Sequence, residues 1–225
     1  MSDHSTHGNP SFDKDYYRRF FSLYNKQEFQ IYENWFQGWE KFIFNHLDTG
    51  PVKDKKVLEI GCSIGAFTKI LKKRGFDVTA TDISGFIIKK AKKLQKDVKF
   101  EVFDIEKGKS KNKFDYVFAF EVVEHLNDPA LALANIFSLL NDGGKFIFST
   151  PFPSNQSLVD PTHINVHQPQ WWLKVGKKVG FRERRHVYAT FIPYFYRYSA
   201  FFSRAFPIKI NLPYINSTSI FIFKK

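Results

Sequence analysis

Three acidic residues and two glycines stand where this chain would bind a ligand. Glu59, Asp82 and Asp104 each lie at the end of a run of apolar and β-branched residues, the composition of a strand buried in a parallel sheet. Gly61 and Gly65 follow the first run, where glycine lets the backbone turn sharply and approach a ligand closely. Because the carboxyl ends of parallel strands meet at one edge of a sheet, we expect the three acids to surround one ligand.

The charge and spacing of these residues indicate which ligand it is. Glu59 suits a ligand that carries an ammonium group, and it would repel a pyrophosphate. Asp82 follows Gly61 by about 20 residues, the separation at which an acidic side chain accepts hydrogen bonds from both ribose hydroxyls. Residues 59–65 read E-x-G-x-S-x-G and lack the third glycine of the dinucleotide pattern G-x-G-x-x-G. The first motif therefore favours a nucleoside with an ammonium group, although the ribose position serves a dinucleotide equally well.

A second motif lies at residues 114–129 and reads F-D-x-V-x-x-x-E-V-x-E-H-L-x-D-P. Together the two motifs resemble those of class I S-adenosylmethionine (SAM) dependent methyltransferases, in the group that contains the ubiquinone-pathway O-methylating enzymes. The resemblance runs from about Val57 to Gly180. Ser63 stands where the family usually has a middle glycine.

The resemblance implies that the chain binds SAM and its product S-adenosyl-L-homocysteine (SAH). In this family the acid and loop backbone of the first motif hold the amino-acid end of the cofactor, and Asp104 matches the position that bonds the adenine amino group. The cofactor-binding residues implied are Glu59, Gly61, Cys62, Ser63, Gly65, Asp82, Ile83, Asp104, Ile105, Phe120 and Glu121.

Methyl transfer from a sulfonium is an in-line displacement, so the protein chiefly aligns the two reactants and excludes water. An oxygen acceptor of high pKa must also lose its proton, which requires a general base or a metal ion. His125, His163 and His167 are the candidate bases, because all three follow strands whose carboxyl ends surround the cofactor. We predict that His163 is the base, with His125 nearby, and that catalysis is independent of metal.

A metal site is the alternative. Glu121, Glu124 and His125 form an E-x-x-E-H cluster, and oxygen and imidazole ligands suit Mg²⁺ or Mn²⁺. A matching cluster holds a divalent metal in the small-RNA 3′-terminal ribose methyltransferases and in some ubiquinone-pathway enzymes. We otherwise expect the cluster to support the cofactor loop.

Alternating strand and helix patterns predict an α/β fold, and 225 residues suit one domain. The resemblance implies a three-layer Rossmann-like sandwich with a seven-stranded sheet in the order 3-2-1-4-5-7-6, strand 7 being antiparallel. We expect an N-terminal helical cap at residues 1–50, with aromatics at helical spacing between 12 and 47, and a methyltransferase domain at 51–225. The predicted strands are 57–60, 77–82, 98–103, 114–120, 145–150, 184–191 and 219–223; the predicted helices are 66–74, 86–96, 129–140 and 168–179; the predicted turn is 141–144.

Composition limits the partners. The net charge of +12 would draw the chain towards phosphates, anionic lipid or acidic glycans. Many of the lysines, however, lie on what reads as the solvated face of crossover helices. We therefore expect a small-molecule, lipid or glycan acceptor, with methylation at oxygen. An RNA-modifying (ribose) methyltransferase or a nucleic-acid binding protein is the alternative, although no base-stacking motif is evident. The oligomeric state stays open.

The N-terminal residues and the single cysteine bear on localisation. Residues 1–10 lack an apolar core behind a basic start, and no stretch reaches the uncharged length of a membrane span. Cys62 alone excludes a disulfide within the chain. We expect the protein to be cytoplasmic.

Aromatic residues crowd the region between the last two predicted strands. Residues 188–217 are predicted to form an aromatic insertion on the substrate side, which encloses the acceptor. Phe195, Tyr198, Phe202 and Phe206 are predicted to share one helical face, with Arg197 and Arg204 on another. Such a face would also suit peripheral contact with an anionic membrane.

Overall fold

Alternating strands and helices in the computed structural model form one sheet with helices on both faces. The structure describes residues 12, 16–17, 26–46, 51–108, 110–154, 157, 159–191, 195–212 and 215–225. The strands are β1 Lys56–Ile60, β2 Asp77–Asp82, β3 Lys99–Val102, β4 Phe114–Phe120, β5 Leu140–Pro151, β6 Glu183–Phe191, β7 Ala205–Phe206, β8 Asn211–Leu212 and β9 Ile215–Lys224. The helices are α1 Lys26–His46, α2 Ala66–Lys73, α3 Gly85–Leu94, α4 Pro129–Leu139 and α5 Pro169–Val179. Among these helices, none is both long enough and apolar enough to cross a bilayer.

The sheet confirms the predicted topology. Its strand order is β3-β2-β1-β4-β5-β9-β6-β7, and β9, the predicted seventh strand, pairs antiparallel with both β5 and β6. Two short strands are additional: β7 extends the edge beyond β6, and β8 pairs with the start of β9. Both lie in the predicted aromatic insertion. The predicted boundary at residue 50 falls within residues 47–50, which the structure does not describe.

Two local predictions were wrong. Asn141–Gly144 is not a separate turn, because β5 already begins at Leu140. Gly143 has a φ of 76°, and the β4–β5 register shifts between Phe114 and Tyr116, so this part of the strand is irregular. Residues 195–206 do not form one helix with an aromatic face. They form two 3₁₀ turns, Phe195–Arg197 and Ala200–Phe202, followed by β7.

Alternating side chains on the central strands make two apolar layers. On β4, Val117 packs into the layer covered by α4 and α5, and Phe118 packs into the layer covered by α1 and α2. Trp172 of α5 and Ile43 of α1 are almost fully buried against the two faces. A strand that is apolar on both faces is what a doubly covered parallel sheet requires, and this arrangement gives the three layers.

Charged pairs join the N-terminal helix to α2. The Glu33 carboxylate accepts hydrogen bonds from Lys69 Nζ at 2.6 Å and Lys73 Nζ at 2.7 Å. The Glu33 side chain is buried. Burial opposes its ionisation, but the two lysines outweigh burial and lower the pKa of Glu33. Arg74 Nε donates to Glu40 Oε1 at 2.6 Å. These contacts fix α1 beside the helix that follows the first glycine motif.

Gly176 allows α5 to lie directly on the sheet. A Cβ at this position would lie 2.3 Å from Cε2 of the fully buried Phe223 ring. We predict that Gly176→Ala lowers the free energy of unfolding by about 1–3 kcal/mol, because the overpacked ring must move, and this outweighs the gain in helix propensity. Thermal and urea denaturation would measure the change. Gly85→Ala is the control, since its Cβ would meet only Val102 Cγ2 at 3.8 Å. Equal stability of both variants would contradict tight packing at Gly176.

Candidate active site

A cavity of about 700 Å³ opens at the carboxyl ends of β1, β2 and β4. The cofactor residues predicted from the sequence lie on its wall, with the exception of Gly65. His125 and His163 also line it, whereas His167 does not. His167 instead stacks on Trp171, with ring centroids 3.8 Å apart, and its Nε2 lies 3.2 Å from Asn165 Oδ1. His167 is therefore held in packing away from the cavity.

The loop after β1 is held in an unusual backbone conformation. Gly61 and Gly65 have φ values of 70° and 84°, and Ser63 has a φ of 48°. A Cβ at Gly61 would lie 2.3 Å from Val122 Cγ2, so only glycine fits between the loop and the residues after β4. Gly65 does not line the cavity, but it caps α2 and its carbonyl accepts a hydrogen bond from Gln95 Nε2 at 2.8 Å. Ser63 in the left-handed region costs roughly 1 kcal/mol, which glycine would avoid.

Glu59 presents a buried carboxyl group to the cavity. One of its oxygens accepts a hydrogen bond from Thr68 Oγ1 at 2.5 Å. Burial raises the pKa of Glu59 to about 8, the Thr68 hydrogen bond opposes the rise, and the neighbouring Asp82 adds to it. A cationic group placed beside Glu59 would favour its ionised form. A ligand with a positive charge would therefore gain more here than a neutral one as the pH rises and Glu59 ionises.

Asp82 lies at the end of β2 and is surrounded by donors. Its carboxylate accepts hydrogen bonds from Ser63 N at 3.0 Å, Ser84 N at 2.9 Å and Tyr17 Oη at 3.2 Å. Burial raises the pKa of Asp82 although these bonds oppose the rise. Burial also raises the pKa of Tyr17, so its hydroxyl stays a donor. Tyr17, near the N-terminus, thus contacts Asp82, the residue predicted from the sequence to bind the ribose hydroxyls.

Asp104 follows β3, which ends at Val102, and lines the same cavity. Its Oδ1 accepts a hydrogen bond from Glu106 N at 2.9 Å, which closes a turn. Asn135 of α4 supports that turn by donating to Ile105 O at 2.8 Å. The Lys107 ammonium lies 3.4 Å from Asp104 Oδ2. The turn holds Asp104 and Ile105 at the cavity wall.

Glu121 directly follows β4 and has a strained backbone conformation. Its φ of 53° lies in the left-handed region, which costs a non-glycine residue roughly 1 kcal/mol or more. Ser149 of β5 holds it there: Glu121 N donates to Ser149 Oγ at 3.0 Å, and Ser149 Oγ donates to Glu121 Oε1 at 2.7 Å. Backbone strain of this kind is concentrated at binding sites.

His125 has a defined tautomer. Its Nδ1 lies 3.0 Å from the Thr162 carbonyl oxygen and 3.0 Å from Thr162 Oγ1. Since the Thr162 hydroxyl donates to Asp160 Oδ1 at 2.7 Å, we assign the proton to His125 Nδ1 and the lone pair to Nε2. Burial, followed by the neighbouring His163, lowers the pKa of His125 to about 4. His125 is therefore neutral at pH 7.

His163 is held in the same way. Its Nδ1 lies 2.6 Å from the Ser157 carbonyl oxygen, which requires an N–H at that nitrogen. Its Nε2 lies 3.9 Å from Asp160 Oδ2. The two imidazole centroids are 4.8 Å apart. The loop after β5 therefore carries His163 and orients His125, which follows β4, so that two imidazoles lie at the cavity with Nε2 as the acceptor nitrogen of each.

The structure brings together a different set of possible metal ligands from the E-x-x-E-H cluster predicted from the sequence. Within the described ranges, ligand atoms of Glu124, His125 and His163 lie within 4.8 Å of one another. Glu121 is not part of this group, because Ser149 holds its carboxylate. Both Glu124 oxygens are buried without a hydrogen-bond partner among the described residues. Burial, and then the proximity of Glu121, raise the pKa of Glu124 well above its ordinary range.

Aromatic side chains of the N-terminal region close the other side of the cavity. Tyr16 and Tyr32, both among the aromatics noted in the sequence, line it. Trp35 and Tyr17 line it as well, and the sequence reasoning had missed both. The spacing of residues 32, 35 and 39 on one helical face was the signal that could have found Trp35. Phe20 and Tyr24, which also belong to the aromatic-rich stretch predicted between residues 12 and 47, lie outside the described residues.

The polar groups of this cavity fit SAM. Glu59 offers a carboxyl whose ionised form a cation would stabilise, and the glycine loop lets a ligand approach the backbone at Gly61. Ser63 Oγ is buried and without a hydrogen-bond partner in the part of the chain that is described. Asp82 and Asp104 lie farther along the same wall. A nucleoside with an amino-acid end matches each of these groups.

Comparison with protein-family models matches residues 32–189 to a family described as a methyltransferase domain. A ubiquinone biosynthesis O-methyltransferase from Coxiella burnetii is 36% identical over 104 residues, which cover 44% of this chain and 44% of the relative. A second, from Psychrobacter arcticus, is 33% identical over 104 residues, covering 43% of this chain and 40% of the relative. The chain thus matches less than half the length of these curated relatives.

A solved structure extends the likeness to nearly the whole fold. The structure of magnesium protoporphyrin IX methyltransferase from Synechocystis PCC 6803, with bound SAH, has a TM-score of 0.66. It is 14% identical in sequence, and the alignment covers 96% of this chain and 97% of that one. At this identity the comparison supports the fold.

The raised pKa of Glu59 makes a prediction about cofactor affinity. SAH should bind more tightly as the pH rises from 6 towards 8, by up to tenfold per pH unit, because the ammonium pairs with the ionised carboxylate and Glu59 must first lose its proton. Calorimetry across this range would measure the slope.

Two controls isolate Glu59. Glu59→Gln should bind SAH more weakly and without this slope. 5′-Methylthioadenosine, which lacks the amino-acid end, should bind the wild type with little pH dependence. A slope that persists in Glu59→Gln would show that a different group titrates.

Proposed function

The chain belongs to the methyltransferase domain family, whose members use SAM, and from this premise we propose that it methylates a hydroxyl oxygen of a small, apolar acceptor. The observation that carries the proposal is the shared cavity. Three strand-end acids and two oriented imidazoles line it, and they account for cofactor binding and for removal of the acceptor proton. The likeness to the ubiquinone biosynthesis O-methyltransferases supports oxygen as the acceptor atom.

Residues of the first three strands would hold the cofactor. When bound, SAM supplies an electrophilic methyl group on a sulfonium. Glu59 would pair with its ammonium, Asp82 would accept hydrogen bonds from its ribose hydroxyls, and Asp104 would bond its adenine amino group. Tyr17 already donates to Asp82 at 3.2 Å, so it would stay beside the ribose and exclude water from that end.

His163 is the proposed general base. Its Nδ1–H is engaged by the Ser157 carbonyl, which leaves Nε2 to take the hydroxyl proton of the acceptor. His125 would position His163 and the acceptor, since its low pKa keeps it neutral beside the charge that His163 acquires. Asp160, 3.9 Å from His163 Nε2, would stabilise that charge.

The cavity lining supports an apolar acceptor. Tyr32, Trp35, Phe36 and Phe120 form an aromatic surface, and no lysine or arginine lies among the described residues that line the cavity. An acceptor with phosphate groups would need such cations for charge pairing. The lining therefore favours a small molecule or lipid over RNA as the acceptor. The basic residues of the surface would then serve a purpose other than binding the acceptor.

A divalent ion is the alternative way to activate the acceptor oxygen. Glu124, His125 and His163 would be its ligands, and the unpartnered Glu124 carboxyl fits a cation chemically. The ion would lower the pKa of an acceptor hydroxyl. We favour the metal-independent route because burial disfavours the ionised form of Glu124 and Glu124 does not line the cavity.

The two routes predict different mutant kinetics. Formation of SAH with phenols and catechols that carry apolar substituents would be followed by mass spectrometry. His163→Gln should lower kcat about 100-fold, because the base is lost, and should leave SAH affinity unchanged. Glu124→Gln is the matched control and should retain activity, since an amide replaces a neutral carboxyl.

Chelation tests the same choice independently. We expect EDTA to leave the activity of the wild type unchanged. Loss of activity in EDTA, its restoration by Mg²⁺ or Mn²⁺, and an inactive Glu124→Gln variant would together establish the metal route and remove the proposed role of His163 as base.

A further inference from the structure

We propose that residues 197–209, named here the docking segment, bind the surface of an anionic lipid bilayer. This inference goes beyond methyl transfer and does not depend on it. The segment joins β6 to β8 and includes the second 3₁₀ turn and β7. None of its residues lines the cofactor cavity.

Large apolar side chains of the docking segment point into solvent. Tyr198 is 84% exposed, Phe201 70%, Ile208 54% and Phe206 39%. Of the other exposed large apolar residues on the described surface, Val159 and Ile164 share one loop, and Ile83, Val102 and Leu131 lie at separate places along the chain. Scattered exposed apolar residues are normal, but a cluster of them marks an interaction site.

The backbone of the docking segment is nevertheless firmly placed. Ser203 is buried, and its Oγ donates to Trp35 O of α1 at 3.1 Å. Phe206 pairs with Thr190 at the end of β6. Just before the segment, Asn34 Nδ2 of α1 donates to Tyr196 O at 3.1 Å. The backbone is therefore held in place while its aromatic side chains stay exposed, an arrangement that suits contact with a partner.

The positive charge of the docking segment indicates a negatively charged partner. Arg197, Arg204 and Lys209 are exposed between the aromatics. The Arg204 guanidinium lies 5.8 Å from the Phe201 ring centroid. Beyond Glu183 the sequence contains no aspartate or glutamate. A stretch of sequence that carries cations and no acids complements a negative surface.

An anionic bilayer fits this pattern best. Aromatic rings are favoured at the headgroup level of a bilayer, and lysine and arginine are attracted to anionic lipid within a Debye length of its surface. Trp35, which binds Ser203 of the segment, also lines the cavity. Docking by this face would therefore bring the cavity close to the membrane, from which an apolar acceptor could enter.

Vesicle flotation tests the proposal directly. The full chain should float with phosphatidylcholine vesicles that contain phosphatidylglycerol, and should stay in solution with pure phosphatidylcholine. Arg197→Gln with Arg204→Gln should weaken binding about tenfold or more, because two charges near the surface are lost. Tyr198→Ser with Phe201→Ser should weaken it as well. Lys89→Gln with Lys92→Gln, on the exposed side of α3, removes the same charge and should leave binding unchanged.

Each other outcome would overturn the proposal. Failure of the wild type to float with the anionic vesicles would exclude bilayer docking, and equal loss in the α3 variant would indicate attraction by net charge alone. A lower melting temperature and weaker SAH binding in Tyr198→Ser with Phe201→Ser would show that these side chains belong to the core. Binding of a single-stranded RNA oligonucleotide that disappears in the same variants would assign the segment to nucleic acid.

Discussion

Burial of carboxyl groups at the carboxyl edge of the sheet is the constraint on which this structure depends. Glu59 and Asp82 are both removed from water, and burial raises the pKa of each. Such groups cost free energy unless donors or cations satisfy them. The loop amides and hydroxyls supply part of that compensation to Asp82, whereas Glu59 has one hydroxyl. A ligand with an ammonium group would favour the ionised form of Glu59 and supply the missing compensation.

The N-terminal helix supplies one wall of the cavity at the same edge. Glu33 is buried between α1 and α2 and binds Lys69 and Lys73. This ion pair fixes α1 on the helix that begins at the glycine loop, and α1 in turn places Trp35 on the cavity wall. Removing one partner of a buried ion pair is costly, because the other charge stays buried. Loss of the contacts between α1 and α2 should therefore also change the shape of the cavity wall that Trp35 forms.

Local pattern was enough to predict the strands and the acids at their ends, because strand periodicity and glycine turns are encoded over a few residues. The order of the strands followed from the family resemblance. Contacts between distant residues were not accessible in this way. Tyr17 reaches Asp82 and Thr162 orients His125, yet neither pair has a local signature. The helical face predicted at 195–206 failed because residues there pair with β6 and α1 instead of continuing a helix. Glu121 was grouped with a metal cluster since its hydrogen bonds with Ser149 cannot be seen in the sequence.

Calorimetry on the Asp82→Ala variant tests the central claim, that the strand-end acids bind SAM. The account predicts that SAM and SAH bind the wild type, and that NADH binds far more weakly. It also predicts that Asp82→Ala weakens binding of both cofactor forms by about 10–100-fold, because hydrogen bonds to a charged group are lost. The variant should stay folded, with a melting temperature lowered by the loss of the bonds from Ser63, Ser84 and Tyr17. Unchanged affinity in this variant, or tighter binding of NADH than of SAM, would contradict the account.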